Sequence, residues 1–229
     1  MKKKILIVAA HPDDEILGCG GFISKYKKKF NFSVLFLAEG NSCRYSDLRK
    51  NYIKIKKEIN DRKKQCLKAL KTMSVTNVVF HDNPCGSLNF LPTIKLNQII
   101  EKEIQKQNPE IIFTHSKNDL NQDHKVVFQS VMMATRPVGN KSSVKEIYSF
   151  EILSSSEWAY TENFKPNYFI SLSKKNLNDK WKALKCYKDE IRKQPHPRSL
   201  FGLKTLANYR GIQTGTEYAE AFRIIRLIK

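Results

Sequence analysis

Apolar residues fall along this chain in short runs of strand length, separated by longer stretches of helical period. The runs predict strands over residues 5–9, 32–37, 77–80, 110–114, 146–153 and 168–172. Between them the spacing predicts helices over 16–29, 47–70, 93–107 and 124–135, and a Lys-rich helix over 174–193. Helix ends are marked by Pro109 and by Arg136-Pro137, and Asn83-Pro84-Cys85-Gly86-Ser87 reads as a turn. Strands that are apolar throughout, alternating with helices, imply a mostly parallel sheet buried on both faces, a doubly wound α/β fold. Residues from about 173 are less regular and are read as a C-terminal extension of the same domain, so that 1–229 is one unit.

Composition agrees with this reading. The chain has 229 residues, 41% hydrophobic and 28% charged, which suits one large domain and excludes wholesale disorder. Five cysteines, none spaced C-x-x-C, argue against a disulfide framework or a cysteine-rich zinc module, and point to reduced thiols in the cytoplasm. The basic start followed by residues 5–10 resembles a signal peptide, but the apolar run is too short. No apolar run approaches the length of a membrane span.

The net charge of +19 is the anomaly. Such a surplus first suggests nucleic acid or an anionic membrane surface. However, the basic residues are 32 Lys and only 9 Arg, alongside 17 Asn. That bias reads as compositional drift, since phosphate-reading surfaces favour the planar fork of Arg. No nucleic-acid module is present and no specific nucleic-acid partner is expected. A basic nucleic-acid-binding protein is kept as a remote alternative.

Two segments carry candidate chemistry. His11-Pro12-Asp13-Asp14-Glu15 follows the first strand, and Thr114-His115 through Asp123-His124 follows the fourth. In a parallel sheet both loops emerge on one edge, where ligands bind in such folds. His11, Asp14 and His124 would supply the three N/O ligands of a catalytic zinc site, with Asp13 free to accept the proton of an activated water. Taken singly, the acidic run is equally a helix N-terminal cap, as are Asp119 and Asp123. Their coincidence on one edge favours the site.

The run Ala10-His11-Pro12-Asp13-Asp14-Glu15 with Gly18-Cys19-Gly20-Gly21 resembles the signature of the PIG-L/LmbE-like zinc-dependent N-acetylglucosaminyl deacetylases. Glu39-Gly40, Arg62, Asp82, Asp123-His124 and Tyr218-Ala219-Glu220-Ala221-Phe222 extend the resemblance along most of the chain. It implies a Rossmann-like fold, with His11, Asp14 and His124 as metal ligands and Asp13 as general base. It also implies a substrate-binding role for Arg62 and a sugar-hydroxyl contact for Asp82. The family commonly has a His where this chain has Asn121. Asn donates a hydrogen bond to an oxyanion but shuttles no proton. His196 is therefore a second candidate for the acid or oxyanion role, equally readable as an exposed loop histidine.

The expected function is a zinc hydrolase, other divalent ions being acceptable to the same donors. It would remove the acetyl group from an N-acetylated sugar or glycoconjugate. Arg44 and Arg62 would suit a phosphate-, nucleotide- or lipid-linked form. Hydrolysis of another amide conjugate, a thiol-cofactor or antibiotic precursor, is the alternative.

Overall fold

The first strand shows how the sheet is covered. In β1 (Lys4–Ala9), Ile5, Ile7 and Ala9 join one buried apolar cluster, while Leu6 and Val8 join another. A strand buried on both faces belongs in the middle of a layered α/β fold. The computed structural model describes residues 2–138 and 143–229. After β1 come α1 (Asp14–Tyr26), β2 (Asn31–Ala38), α2 (Tyr52–Thr72), β3 (Asn77–Asn83) and α3 (Thr93–Gln107). Then follow β4 (Ile111–His115), α4 (Gln122–Ala134), β5 (Glu146–Phe150) and β6 (Tyr168–Leu172). The chain closes with α5 (Lys174–Leu184), α6 (Leu200–Ile212) and β7 (Tyr218–Leu227).

All seven strands form one sheet in the order β3-β2-β1-β4-β5-β7-β6. The pairings among β1 to β5 are parallel, and β7 runs antiparallel between β5 and β6. Helices α1, α2, α5 and α6 supply Ile16, Leu70, Leu184 and Leu203 to the cluster on one face. Helices α3 and α4 supply Leu96, Ile100, Val127 and Val131 to the other. The fold is thus the expected Rossmann-like, doubly wound, mostly parallel sheet. The strand order reverses between β1 and β4, which opens a crevice at their carboxyl ends. Among the described residues, no helix is long and apolar enough to cross a membrane.

Several boundaries move for local reasons. Helix α2 begins at Tyr52 rather than residue 47 because Asp47 makes a turn, its Oδ1 accepting from Lys50 N–H at 2.9 Å. Strand β5 stops at Phe150, and the chain turns at Ser154 with φ 68°. Helix α5 ends at Leu184, so residues 185–193 are turn and loop instead of helix. The last segment is more regular than expected, because α6 and β7 complete the sheet. The Tyr218–Phe222 motif lies on β7, where Glu220 accepts from Gly21 and Phe22 N–H at 2.7 and 2.6 Å and pairs with the buried Lys180 at 2.6 Å.

The glycines of α1 are demanded by packing. A Cβ on Gly18 would stand 2.4 Å from Phe150 Cδ2, and one on Gly21 2.4 Å from Leu172 Cδ1. Gly18→Ala should therefore overpack the core by about 1–3 kcal/mol. Thermal unfolding should show a melting temperature lower by several degrees. Gly215→Asn, at a position with φ 67° and nothing within 4 Å, should shift it little. Equal shifts for the two would sink the packing explanation.

Candidate active site

The site is assembled where β1 hands over to α1 and β4 to α4. Asp14 opens α1 and is 1% exposed. Its Oδ2 accepts from His11 N–H at 2.9 Å and lies 3.5 Å from His11 Nδ1 and 3.4 Å from His124 Nε2. Each ring is held from behind by a carboxylate. His11 Nε2 is 2.9 Å from Asp123 Oδ2, and His124 Nδ1 is 3.1 Å from Asp119 Oδ1. Carboxylates in that position fix ring orientation and raise the basicity of a metal-ligating histidine. Both ring nitrogens of His124 are buried and make no hydrogen bond among the described residues, their carboxylate contacts being ion-pair approaches. Ligand atoms of His11, Asp14 and His124 lie within 4.8 Å of one another. Two imidazoles and a carboxylate, with the His124 nitrogens free of hydrogen bonds, fit a divalent cation held by N/O donors.

Electrostatics follow from burial and from these pairings. Burial lowers the His11 and His124 imidazoles, but their carboxylate neighbours more than offset it and bring them to about 10 and about 9. Burial works to raise Asp119, yet His124, Ser155 and Ser156 bring it down to about 2. His115 stacks on His124 with centroids 3.8 Å apart, and its Nε2 accepts from Ala10 N–H at 2.9 Å. Burial, then the His124 charge, push it down to about 4, so it stays a neutral wall. Metal ligation needs His11 and His124 deprotonated at the ligating nitrogen, so uptake releases protons.

Asp13 sits beside the triad, 1% exposed, at the strained backbone φ of 130°. Such conformations persist where the surroundings over-determine them, commonly at functional sites. Burial raises its carboxyl to about 6, against the pull of Arg198 and Arg62. Arg62 is buried and all three of its guanidinium nitrogens face protein. Nε donates to Pro12 O at 2.8 Å, Nη2 is 3.2 Å from Asp13, and Nη1 pairs with Glu190. Its place is behind Asp13 rather than on an open substrate surface. Arg44 is partly exposed and pairs with Glu190 at 2.5 Å. Asp82 is exposed near the end of β3 and pairs with Lys63 at 2.6 Å. Asn121 caps α4, its Oδ1 accepting from Asp123 N–H at 2.9 Å. His196 Nδ1 accepts from Arg198 N–H at 3.0 Å, and its ring packs edge-on to Trp158.

The family described as "PIG-L: GlcNAc-PI de-N-acetylase" matches residues 6–135. This chain belongs to the PIG-L family. The matched span runs from within β1 to the end of α4 and includes His11, Asp14 and His124. An Escherichia coli K12 protein named "Uncharacterized deacetylase YaiS" is 29% identical over 199 residues, 82% of this chain and 91% of that one. The N,N'-diacetylchitobiose deacetylase of Pyrococcus horikoshii superposes with a TM-score of 0.76 at 19% identity, covering 98% of this chain and 84% of its own. The 4-carboxy-2-hydroxymuconate hydratase of Pseudomonas putida does so with 0.71 at 20%, covering 99% and 98%. At these identities the structural likeness shows the fold alone, and one fold hosts more than one reaction.

Beyond the matched span, this PIG-L family member adds two residues that sequence reasoning missed. Glu190 gathers Arg44, Arg62 and Arg198, and those arginines hold it down at about 2 although burial works to raise it. Arg198 Nη1 bridges Glu190 Oε2 and Asp13 Oδ2, both at 2.7 Å. Arg198 is the nearest counter-charge to a buried carboxylate, so its removal must raise the Asp13 pKa further. A pH–rate profile of Arg198→Ala should show the acidic limb moved to higher pH, with kcat/KM reduced roughly 10- to 100-fold as for loss of a charged hydrogen bond. Arg198→Lys should recover part of both. An unmoved acidic limb would remove Arg198 from this role.

Proposed function

We propose that this protein is a metal-dependent N-deacetylase, with zinc as its ion, acting on an N-acetylated amino sugar or sugar conjugate. The observation that carries the reading is the convergence of His11 Nδ1 and His124 Nε2 on Asp14, with Asp13 buried beside them. Zinc held by His11, Asp14 and His124 would supply Lewis-acid activation of water and of the acetamide carbonyl. Asp13, raised to about 6, is a base poised just below neutrality. It takes a proton from the attacking water as the new C–O bond forms. It returns that proton to nitrogen as the C–N bond breaks, releasing acetate and the free amine. Asn121, with Oδ1 committed to Asp123 N–H, keeps its amide hydrogens for the developing oxyanion. His196 is the second candidate for that donor. Asp82, at the end of β3, is assigned to a sugar hydroxyl.

The substrate's remote portion is read from the surface next to Arg44. A groove of about 910 Å³ runs from Asn41 and Arg44 across α2 to the segment after α5. Seven basic side chains, among them Lys64, Lys68, Lys185 and Arg192, outnumber three acidic ones along it. Through Arg44 and Glu190 it is linked to Arg62 and Arg198, which hold Asp13. This arrangement supports an anionic conjugate, in which a phosphate or similar group lies in the groove while the acetamide reaches the buried triad.

Mass spectrometry of N-acetylhexosamines presented free, nucleotide-linked and lipid-linked should show loss of one acetyl mass, blocked by a chelator and restored by zinc. The linked forms should react with the lower KM. Lys64→Glu with Lys68→Glu should raise that KM and leave the free sugar unaffected. Asp13→Asn should abolish turnover while the purified protein retains its metal by elemental analysis. Full activity of Asp13→Asn would sink the base assignment, and chelator-insensitive deacetylation the metal assignment.

A further inference from the structure

The rim of the site brings two thiols together. Cys43 lies in the short 3-10 turn after β2, and Cys85 in the turn after β3. Their Sγ atoms are 2.8 Å apart. Cys43 is exposed and Cys85 buried. One buried carboxylate joins the two loops. Glu39 accepts from Asn41 and Ser42 N–H on one side at 2.5 and 3.1 Å, and from Cys85 N–H on the other at 2.9 Å. The fit continues at Gly86, where an added Cβ would stand 3.3 Å from Cys43 Cβ.

We propose that Cys43 and Cys85 form an oxidation site, converted by a peroxide into a disulfide that ties the two rim loops together. The Cys43 thiolate attacks peroxide oxygen, the O–O bond breaks, and hydroxide leaves a sulfenic acid on Cys43. Cys85 sulfur then attacks that sulfur, the S–S bond forms, and water departs with the Cys85 proton. Two thiols and one peroxide give one disulfide and two waters, and a dithiol reductant reverses the change. Little movement is needed, since the sulfurs must close only from 2.8 Å to about 2.05 Å. In a reducing compartment such a pair is reduced at rest and bonded transiently.

The tie lies where it can matter. Gly86 N–H donates to Asp123 Oδ2 at 2.6 Å and Leu88 N–H to Asp123 Oδ1 at 3.0 Å, and Asp123 holds His11. Asp13, Asp14 and His124 are at most 2% exposed, so a substrate acetamide reaches them only as the rim gives way. A bond between two rim loops restrains that opening. This consequence for turnover rests on the deacetylase reading, whereas the cross-link itself does not.

The test is to treat the native protein with hydrogen peroxide near stoichiometry, block free thiols, digest without reductant and map peptides by mass. The expected product is a Cys43–Cys85 cross-linked peptide lacking two hydrogen masses, abolished by dithiothreitol and absent in Cys43→Ser. Cys186, half-exposed with its Sγ directed at Lys182 O, is the internal control and should stay unpaired. The oxidised protein should melt higher, by about 10 °C for a loop of this length. Its kcat/KM should fall at least about fivefold and recover on reduction, a change of roughly 1 kcal/mol. Sulfinic acid on Cys43 without a cross-link, pairing with Cys186, or a lowered melting temperature would overturn the oxidation site. A clean cross-link with unchanged kcat/KM would overturn the restraint on the rim, whatever the substrate proves to be.

Discussion

Asp14 Oδ2 lies within 3.5 Å of nitrogens from three imidazoles, and almost none of it is reached by water. An isolated carboxylate in such a place would carry a desolvation penalty of several kcal/mol, and an isolated imidazolium a similar one. The site exists because these penalties are set against each other at short range. His11 and His124 are each placed between Asp14 and a second carboxylate, so neither ring can rotate without exposing a buried charge. Removing one partner would leave the rest uncompensated, which ties the geometry of these side chains to the stability of this edge of the sheet. The same logic extends outward. Asp13 is balanced by Arg62 and Arg198, and they in turn by Glu190.

That charge balance dictates backbone. His11 and Asp14 belong to one tight turn, and at Asp13, where φ is positive, the side chain meets the arginines. Glu15 supports the turn, accepting from Asp13 N–H at 2.9 Å and from Tyr187. Burial lifts the Glu15 carboxyl to about 8, so it sits neutral behind the charged layer. Tyr187 and Glu190 both come from the loop after α5. The irregular stretch that interrupts the expected helix is therefore the back wall of the site, and its departure from helix lets both residues face inward.

The legible part of the molecule was the part governed by local period and by loop position. Strands with both faces apolar announced the parallel sheet, and two acid/His loops after the first and fourth strands announced the triad. What period could not show was the role of residues whose partners are distant in sequence. Asp119 reads as a cap from its neighbours, and only the approach of Ser155, Ser156 and His124 makes it a histidine partner. Glu190 and Arg198 sit in a stretch with no pattern, 177 and 185 positions from Asp13. The orientation of Arg62 is not legible, because nothing in its helix reveals that Glu190 waits beside it. Strand β7 was hidden for a related reason: it enters the sheet out of chain order, between β5 and β6.

The net charge of +19 also changes meaning once the site is built. Seven of the 22 acidic residues, Asp13, Asp14, Glu15, Glu39, Asp119, Asp123 and Glu190, are buried around this one edge. Glu15 is neutral there, and the charges of the other six are consumed by local partners and contribute little to the field outside. The solvent-facing surface is thus more basic than the sum over the chain suggests. At ordinary ionic strength that field reaches only about 10 Å, so a distant Lys does nothing for a ligand at the triad. A lysine in the groove beside Arg44 is different, because it would act at short range on any anionic group bound there. Compositional drift accounts for lysines spread over the whole surface. It accounts equally for the groove's seven basic and three acidic side chains, a ratio no higher than that of the 41 basic to the 15 remaining acidic residues; what sets the groove apart is its link by two ion pairs to the residues holding Asp13.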